Sequence, residues 1–198
     1  MKLTTLYKEL AAAYGDPNSG EQVHAFSDKG NPHTYIEYYE QHFEPRQNKA
    51  RILEIGVKTG GSLLMWSRYF QEYRIVGVDL SPTWSAPRPF QAELENNPHI
   101  ELQFNTDSTN TPGVLGNFDF VIDDGAHDVE TQWATFQAYW PTVMPGGVYF
   151  IEDVVDEPAA QELIQRIHLR YADTAVLSRY VGAVTRRADD QIITIQKQ

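Results

Sequence analysis

Residues 119–128 read DFVIDDGAHD: an apolar run, then Asp123, Asp124, Gly125, His127 and Asp128 crowded behind it. Carboxylates and an imidazole at this spacing suit two kinds of chemistry. Clustered carboxylate oxygens bind a hard divalent cation. A histidine that titrates near neutral pH can take a proton from a hydroxyl held beside it. A second acidic pair, Glu152 and Asp153, closes another apolar run in GVYFIED (147–153). If the two runs are neighbouring strands, about 4.8 Å apart, the carboxylates at their ends can converge on one ion and leave part of an octahedral shell for substrate or water. The plainer reading is that DDG is a turn and that His127 and Asp128 open a helix. Asp128 suits a first-turn acid or cap, and Asp123 suits a strand-end cap or an orienting role.

Other strand ends carry complementary groups. LEIGVKTGGS (53–62) places Glu54, Gly56, Gly60, Gly61 and Ser62 in a strand-to-helix connection, where glycine permits a tight turn and close backbone approach to a ligand. The spacing is not the G-x-G-x-x-G of dinucleotide binding. Asp79, 25 residues after Glu54, ends the next apolar run, and a carboxylate there accepts the hydrogen bonds of a ribose diol. In NTDS (105–108), Asp107 and Ser108 either face an adenine edge or belong to an ordinary loop.

These groups need a scaffold that gathers strand ends. RILEIGV (51–57), YRIVGVDL (73–80), HIELQF (99–104), FDFVID (118–123) and GVYFIED (147–153) are short, rich in β-branched and aromatic residues, and read as five buried parallel strands. Helices are expected over 61–70, 86–96, a short piece near 110–116, 128–140 and 158–171. TAVLSRYVGAVTR (174–186) and QIITIQK (191–197), joined by the turn-like ADD, predict an antiparallel hairpin. Alternating strands and helices predict an α/β fold: a Rossmann-like, doubly wound, mostly parallel seven-stranded sheet, with ligands beyond the carboxyl ends of its strands. Residues 1–48 read as an N-terminal helical cap or lid on a domain spanning 49–198, the whole being one globular unit.

Composition narrows the chemistry. The 198 residues are 41% hydrophobic, enough for one substantial core. There is no cysteine, which excludes disulfides, thiolate nucleophiles and thiolate metal sites. Sixteen basic against 27 acidic residues give a net charge of −11, so no nucleic-acid partner is expected. The opening MKLTTLYKEL lacks the apolar stretch of a signal peptide, and no run approaches a transmembrane length. A cytoplasmic protein without a membrane partner is the expectation.

E-x-G-x-x-x-G-G-S followed by G-V-D resembles the cofactor half of class I S-adenosylmethionine-dependent methyltransferases. SDKGNPHTYIEYY (27–39), LEIGVKTGGSLLMW, IDDGAHD and YFIEDV together are similar to the metal-dependent sugar O-methyltransferases of macrolide biosynthesis, the mycinamicin and tylosin type. The likeness runs from about residue 27 to the end. It implies S-adenosylmethionine held by Lys29, Glu54, Gly56, Gly60, Ser62, Asp79, Asp107 and Ser108. It implies Mg2+ held by Asp124, Glu152 and Asp153, with His127 as general base. His33 and Tyr35 would meet a small hydroxylated acceptor, a sugar of a natural product or polysaccharide. The tyrosines at 35, 38 and 39 suit a lid equally well as the apolar stripe of a packed helix. A homo-oligomer stays open. Two other readings share these motifs: a cephalosporin hydroxylase-like oxidative enzyme, and a cofactor-binding module without catalysis.

Overall fold

The computed structural model describes residues 1–15, 26–30, 33–110, 116–171, 175–182 and 189–198. Its centre is one seven-stranded sheet: β1 (Lys49–Ile55), β2 (Glu72–Val78), β3 (Ile100–Gln103), β4 (Phe118–Asp123), β5 (Val143–Ile151), β6 (Ala175–Val181) and β7 (Gln191–Lys197), in the order β3-β2-β1-β4-β5-β7-β6. The first five strands run parallel, β7 is antiparallel to β5, and β6 is antiparallel to β7. The expected doubly wound sheet with its closing antiparallel pair is therefore present. Strand order reverses between β1 and β4, the crevice where such folds bind ligands.

Pleating sends alternate residues to opposite faces, and each face has its own core. On one, Ile52, Ile75, Phe120, Ile122, Val148 and Phe150 pack against α1 (Leu3–Tyr14), α2 (Ile36–Phe43) and α3 (Gly61–Tyr69). On the other, Leu53, Val76, Val121, Tyr149 and Ile151 pack against α5 (Val129–Tyr139) and α6 (Glu157–Tyr171). The N-terminal helices thus share a core with the sheet. Asp128 caps α5, accepting a hydrogen bond from the Thr131 amide at 3.0 Å.

Three local expectations change. The helix expected over 86–96 is reduced to α4 (Gln91–Glu95), because Pro87 and Pro89 deny donors and helical geometry to the residues before it. β3 lies at the sheet edge and is only partly buried, since it has a neighbour on one side alone. β5 begins at Val143 rather than Gly147: Val143 pairs with Phe118, and the register then shifts before Phe120 meets Val148. The piece near 110–116 falls largely on residues outside those described, as do parts of 174–186 and of the ADD turn.

Phe43 ties the N-terminal helices to the sheet, with ring centroids 5.1 Å from Trp66, 5.3 Å from Phe70, 4.5 Å from Phe120 and 6.0 Å from Phe150. Phe43→Ala should lower unfolding stability by about 3–5 kcal/mol in urea titration. A loss below about 1 kcal/mol would show that these helices are not part of the cooperative unit.

Candidate active site

The carboxyl ends of β1, β2, β4 and β5 border a cavity of about 740 Å³, within the range of roughly 300–1,000 Å³ typical of small-molecule sites. Its glycine floor is built by close backbone approach. Gly56 has φ +86°, and a Cβ there would collide with the backbone oxygen of Asp124; a Cβ on Gly61 would collide with the Phe26 oxygen. Lys58 (φ +51°) and Asp153 (φ +48°) also adopt left-handed backbone beside the cavity, a conformation that is costly for non-glycine residues and clusters at functional sites.

Asp79 lines the cavity just beyond β2. Its Oδ2 accepts the Lys58 amide at 2.9 Å and its Oδ1 the Ser81 amide at 2.8 Å. Two backbone donors fix the carboxylate and leave each oxygen a lone pair for a diol. Asp107 and Ser108 border the same space. Asp107 is turned toward its own loop, accepting from Thr109 and Asn110, which hold its carboxyl below the usual range. Gly56 and Ser62 line the cavity; Gly60 lies behind it as the N-cap of α3, under Trp84 and Leu94.

At the β4 and β5 ends, Asp124, His127 and Asp153 offer ligand atoms that all lie within 4.8 Å of one another. His127 Nε2 is 3.7 Å from Asp124 Oδ1 and 3.8 Å from Asp153 Oδ2, and its side chain lines the cavity and is 45% exposed. His33 lies at the same wall, its Nε2 3.4 Å from Asp153 Oδ1 and its Nδ1 3.3 Å from Asp190 Oδ1. Glu152 is buried outside that group of three. Its Oε1 accepts from Tyr39 and from Lys29 Nζ, the latter at 2.7 Å. Asp123 is buried too and accepts from Tyr149 at 3.3 Å; burial pushes its carboxyl up to about 7.

Lys29 does not border the cavity. Its ammonium is 1% exposed and sits 2.7 Å from Asp124 Oδ2 and from Glu152 Oε1, and 3.4 Å from Glu54 Oε1. Burial alone would lower its pKa, but Asp124, Glu152 and Glu54 together raise it well above the usual range, so it stays charged. Glu54 likewise stands behind the cavity, its Oε2 accepting from Trp66 Nε1 at 2.7 Å. Tyr35, expected to meet the acceptor, is fully buried and away from the cavity, its hydroxyl donating to Asp153 Oδ1 at 2.7 Å.

The donor set fits a hard divalent cation. Burial raises the Asp124 carboxyl, but Lys29 and His127 outweigh it and hold the group at about 2. Glu152 and Asp153 are pushed up, first by burial and then by neighbouring carboxylates. One buried ammonium thus leaves this acidic set undercompensated, and a divalent ion would let its members ionise together. Sequence reading did not single out Asp190, Lys58 or Arg88, which join the site from a turn and from loops. The left-handed backbone of Lys58 has no signature in its residue type.

The model of the methyltransferase domain family matches residues 53–154, just over half of the 198-residue chain. The chain belongs to this family. Among relatives, it is similar to 8-demethyl-8-alpha-L-rhamnosyl tetracenomycin-C 2'-O-methyltransferase of Streptomyces olivaceus, with 36% identity over 65% of this chain and 35% of that protein. It is also similar to 8-demethyl-8-(2-methoxy-alpha-L-rhamnosyl)-tetracenomycin-C 3'-O-methyltransferase of the same organism, with 33% identity over 93% of this chain and 44% of that protein. The chain therefore spans less than half the length of these relatives. Among solved structures, MycE methyltransferase from the mycinamycin biosynthetic pathway, in complex with Mg and SAH, superposes with a TM-score of 0.70. That match has 23% identity and covers 100% of this chain and 55% of that one, a likeness of fold.

Lys29→Met should lower stability by roughly 3–5 kcal/mol in chemical unfolding, because it leaves buried carboxylates without their cation. Stability equal to the parent would mean that the ion pairs contribute nothing net.

Proposed function

We propose that this chain is the catalytic domain of an S-adenosylmethionine- and magnesium-dependent O-methyltransferase acting on a sugar hydroxyl of a natural product. One observation carries the reading. Asp124, His127 and Asp153 converge in the same cavity that Asp79 and the Gly56 turn line. A nucleoside held by Asp79 thus shares one space with a hydroxyl held beside the acidic cluster. The two relatives, named as 2'- and 3'-O-methyltransferases of rhamnosyl compounds, support a vicinal sugar diol as the acceptor class. The magnesium and SAH in the MycE complex support the cofactor pair.

In this reading Asp79 holds the ribose diol of the nucleoside, and the Gly56 turn lets the backbone approach the methionyl part. Asp124 and Asp153 would hold the magnesium ion, with Glu152, engaged by Lys29 and Tyr39, as the acid behind them. When bound, the ion lowers the pKa of the acceptor hydroxyl, and the sulfonium supplies an electrophilic methyl. His127 Nε2 takes the hydroxyl proton. Transfer of that methyl would leave the C–S electron pair on the departing thioether sulfur. The domain's remaining task is to align the two reactants and exclude water between them.

Methyl transfer to a rhamnosylated acceptor should cease with EDTA and return with added magnesium, while His127→Ala lowers kcat and leaves cofactor affinity nearly intact. Activity that survives chelation would refute the metal role. In isothermal titration, Asp79→Ala should weaken S-adenosylmethionine binding by about tenfold or more, since a charge-assisted hydrogen bond contributes roughly 1.5–3 kcal/mol. Unchanged affinity would remove Asp79 from the cofactor site.

A further inference from the structure

Asp124 and Asp153 are each held through one oxygen by the same N-terminal segment. Lys29 Nζ takes Asp124 Oδ2, and the Tyr35 hydroxyl donates to Asp153 Oδ1, both at 2.7 Å. The opposite oxygens, Asp124 Oδ1 and Asp153 Oδ2, are the ones turned toward His127 Nε2. The Tyr35 hydroxyl is itself held fast. Its ring stacks on His33 at 4.8 Å, its backbone amide bonds Lys29 O at 2.8 Å, and the hydroxyl also reaches Asp189 O at 3.1 Å. Fully buried and not itself lining the cavity, it acts on a reactant through the groups it holds, Asp153 foremost among them.

We infer that Tyr35 is a positioning residue, whose hydroxyl pins one oxygen of Asp153 and so aims the other at the cation shared with Asp124. The inference rests on the magnesium reading above. Asp153 sits on left-handed backbone at the end of β5, and its carboxylate turns about two side-chain torsions. A carboxylate free to turn presents its oxygen to the ion only part of the time. A hydrogen bond on the far oxygen removes that freedom without adding charge. Partners of this kind typically contribute about 10–100-fold in metal affinity.

Tyr35→Phe keeps the ring and its packing and deletes only the donor. Mn2+ serves as the probe, followed by electron paramagnetic resonance on the whole chain, with S-adenosylmethionine affinity read by titration calorimetry. The unsubstituted protein is measured first: no Mn2+ binding there would sink the magnesium reading and this inference with it. Given binding, Tyr35→Phe should weaken Mn2+ by about tenfold or more, leave cofactor affinity unchanged, and recover most of its kcat at saturating metal. Tyr38→Phe is the control. It lies on α2 and loses a hydroxyl bonded to Thr194 Oγ1 at 2.8 Å, so it should leave Mn2+ affinity as it was. Parental Mn2+ affinity in Tyr35→Phe would overturn the inference, whatever its melting temperature. A raised acceptor KM at unchanged metal affinity would overturn it as well and make Tyr35 an acceptor contact. Equal losses in both variants would reduce the effect to general loosening of the helix and likewise overturn it.

Discussion

A single buried ammonium organises this protein. Lys29 lies in water-excluded surroundings among Glu54, Asp124 and Glu152, which belong to β1, to the turn after β4 and to the end of β5. A desolvated charge is tolerable only when paired with good geometry. The three strand ends and the segment that brings Lys29 are therefore constrained together. The parallel register serves the same end: Ile55 pairs with Asp123, and Asp123 with Ile151, so the strands finish level.

The division of labour across the cavity follows from that constraint. Lys29 and Tyr39 engage Glu152 from behind, while Asp124 and Asp153 keep oxygens turned toward His127. The acidic residues thus form two layers, with Glu152 engaged inside, Asp153 facing ligand space and Asp124 shared between Lys29 and that space. Asp79 stands apart just beyond β2, held by the Lys58 amide of the β1–α3 turn and by the Ser81 amide of its own loop. The polar needs of nucleoside binding and of cation binding are met by different strands and do not compete. α2 joins the two layers because its residues are amphipathic: the rings of Tyr39 and Phe43 fill the core, and the Tyr39 hydroxyl reaches an acid.

Much of this was legible in the chain. Runs such as RILEIGV and FDFVID are too short and too β-branched for helices, and their spacing called for crossovers, hence a parallel sheet. Asp79 and the Asp124–His127 pair stood out because strand ends of this fold point into one crevice. The helix over 86–96 was misjudged where two prolines sat among good helix formers, and β3 where edge position, a property of the sheet, decides burial. The SDKG pattern points to the ligand, and Ser27 and Asp28 do line the cavity. Its lysine instead turned inward, because carboxylates distant in sequence supply a charge environment that no local pattern encodes.

Residue types and their periodicity alone determined the fold class, the order of elements and the chemistry available at each strand end, since these depend on local propensity and on one-dimensional spacing. Only the tertiary structure decided which carboxylate faces the cavity and which is spent on Lys29, that Tyr35 reaches Asp153, and that His33 bridges Asp153 and Asp190. The contacts of Lys29 with Glu152, of Tyr35 with Asp153 and of His33 with Asp190 join residues more than a hundred positions apart. Their partners are chosen by packing and desolvation, which exist only once the chain has closed.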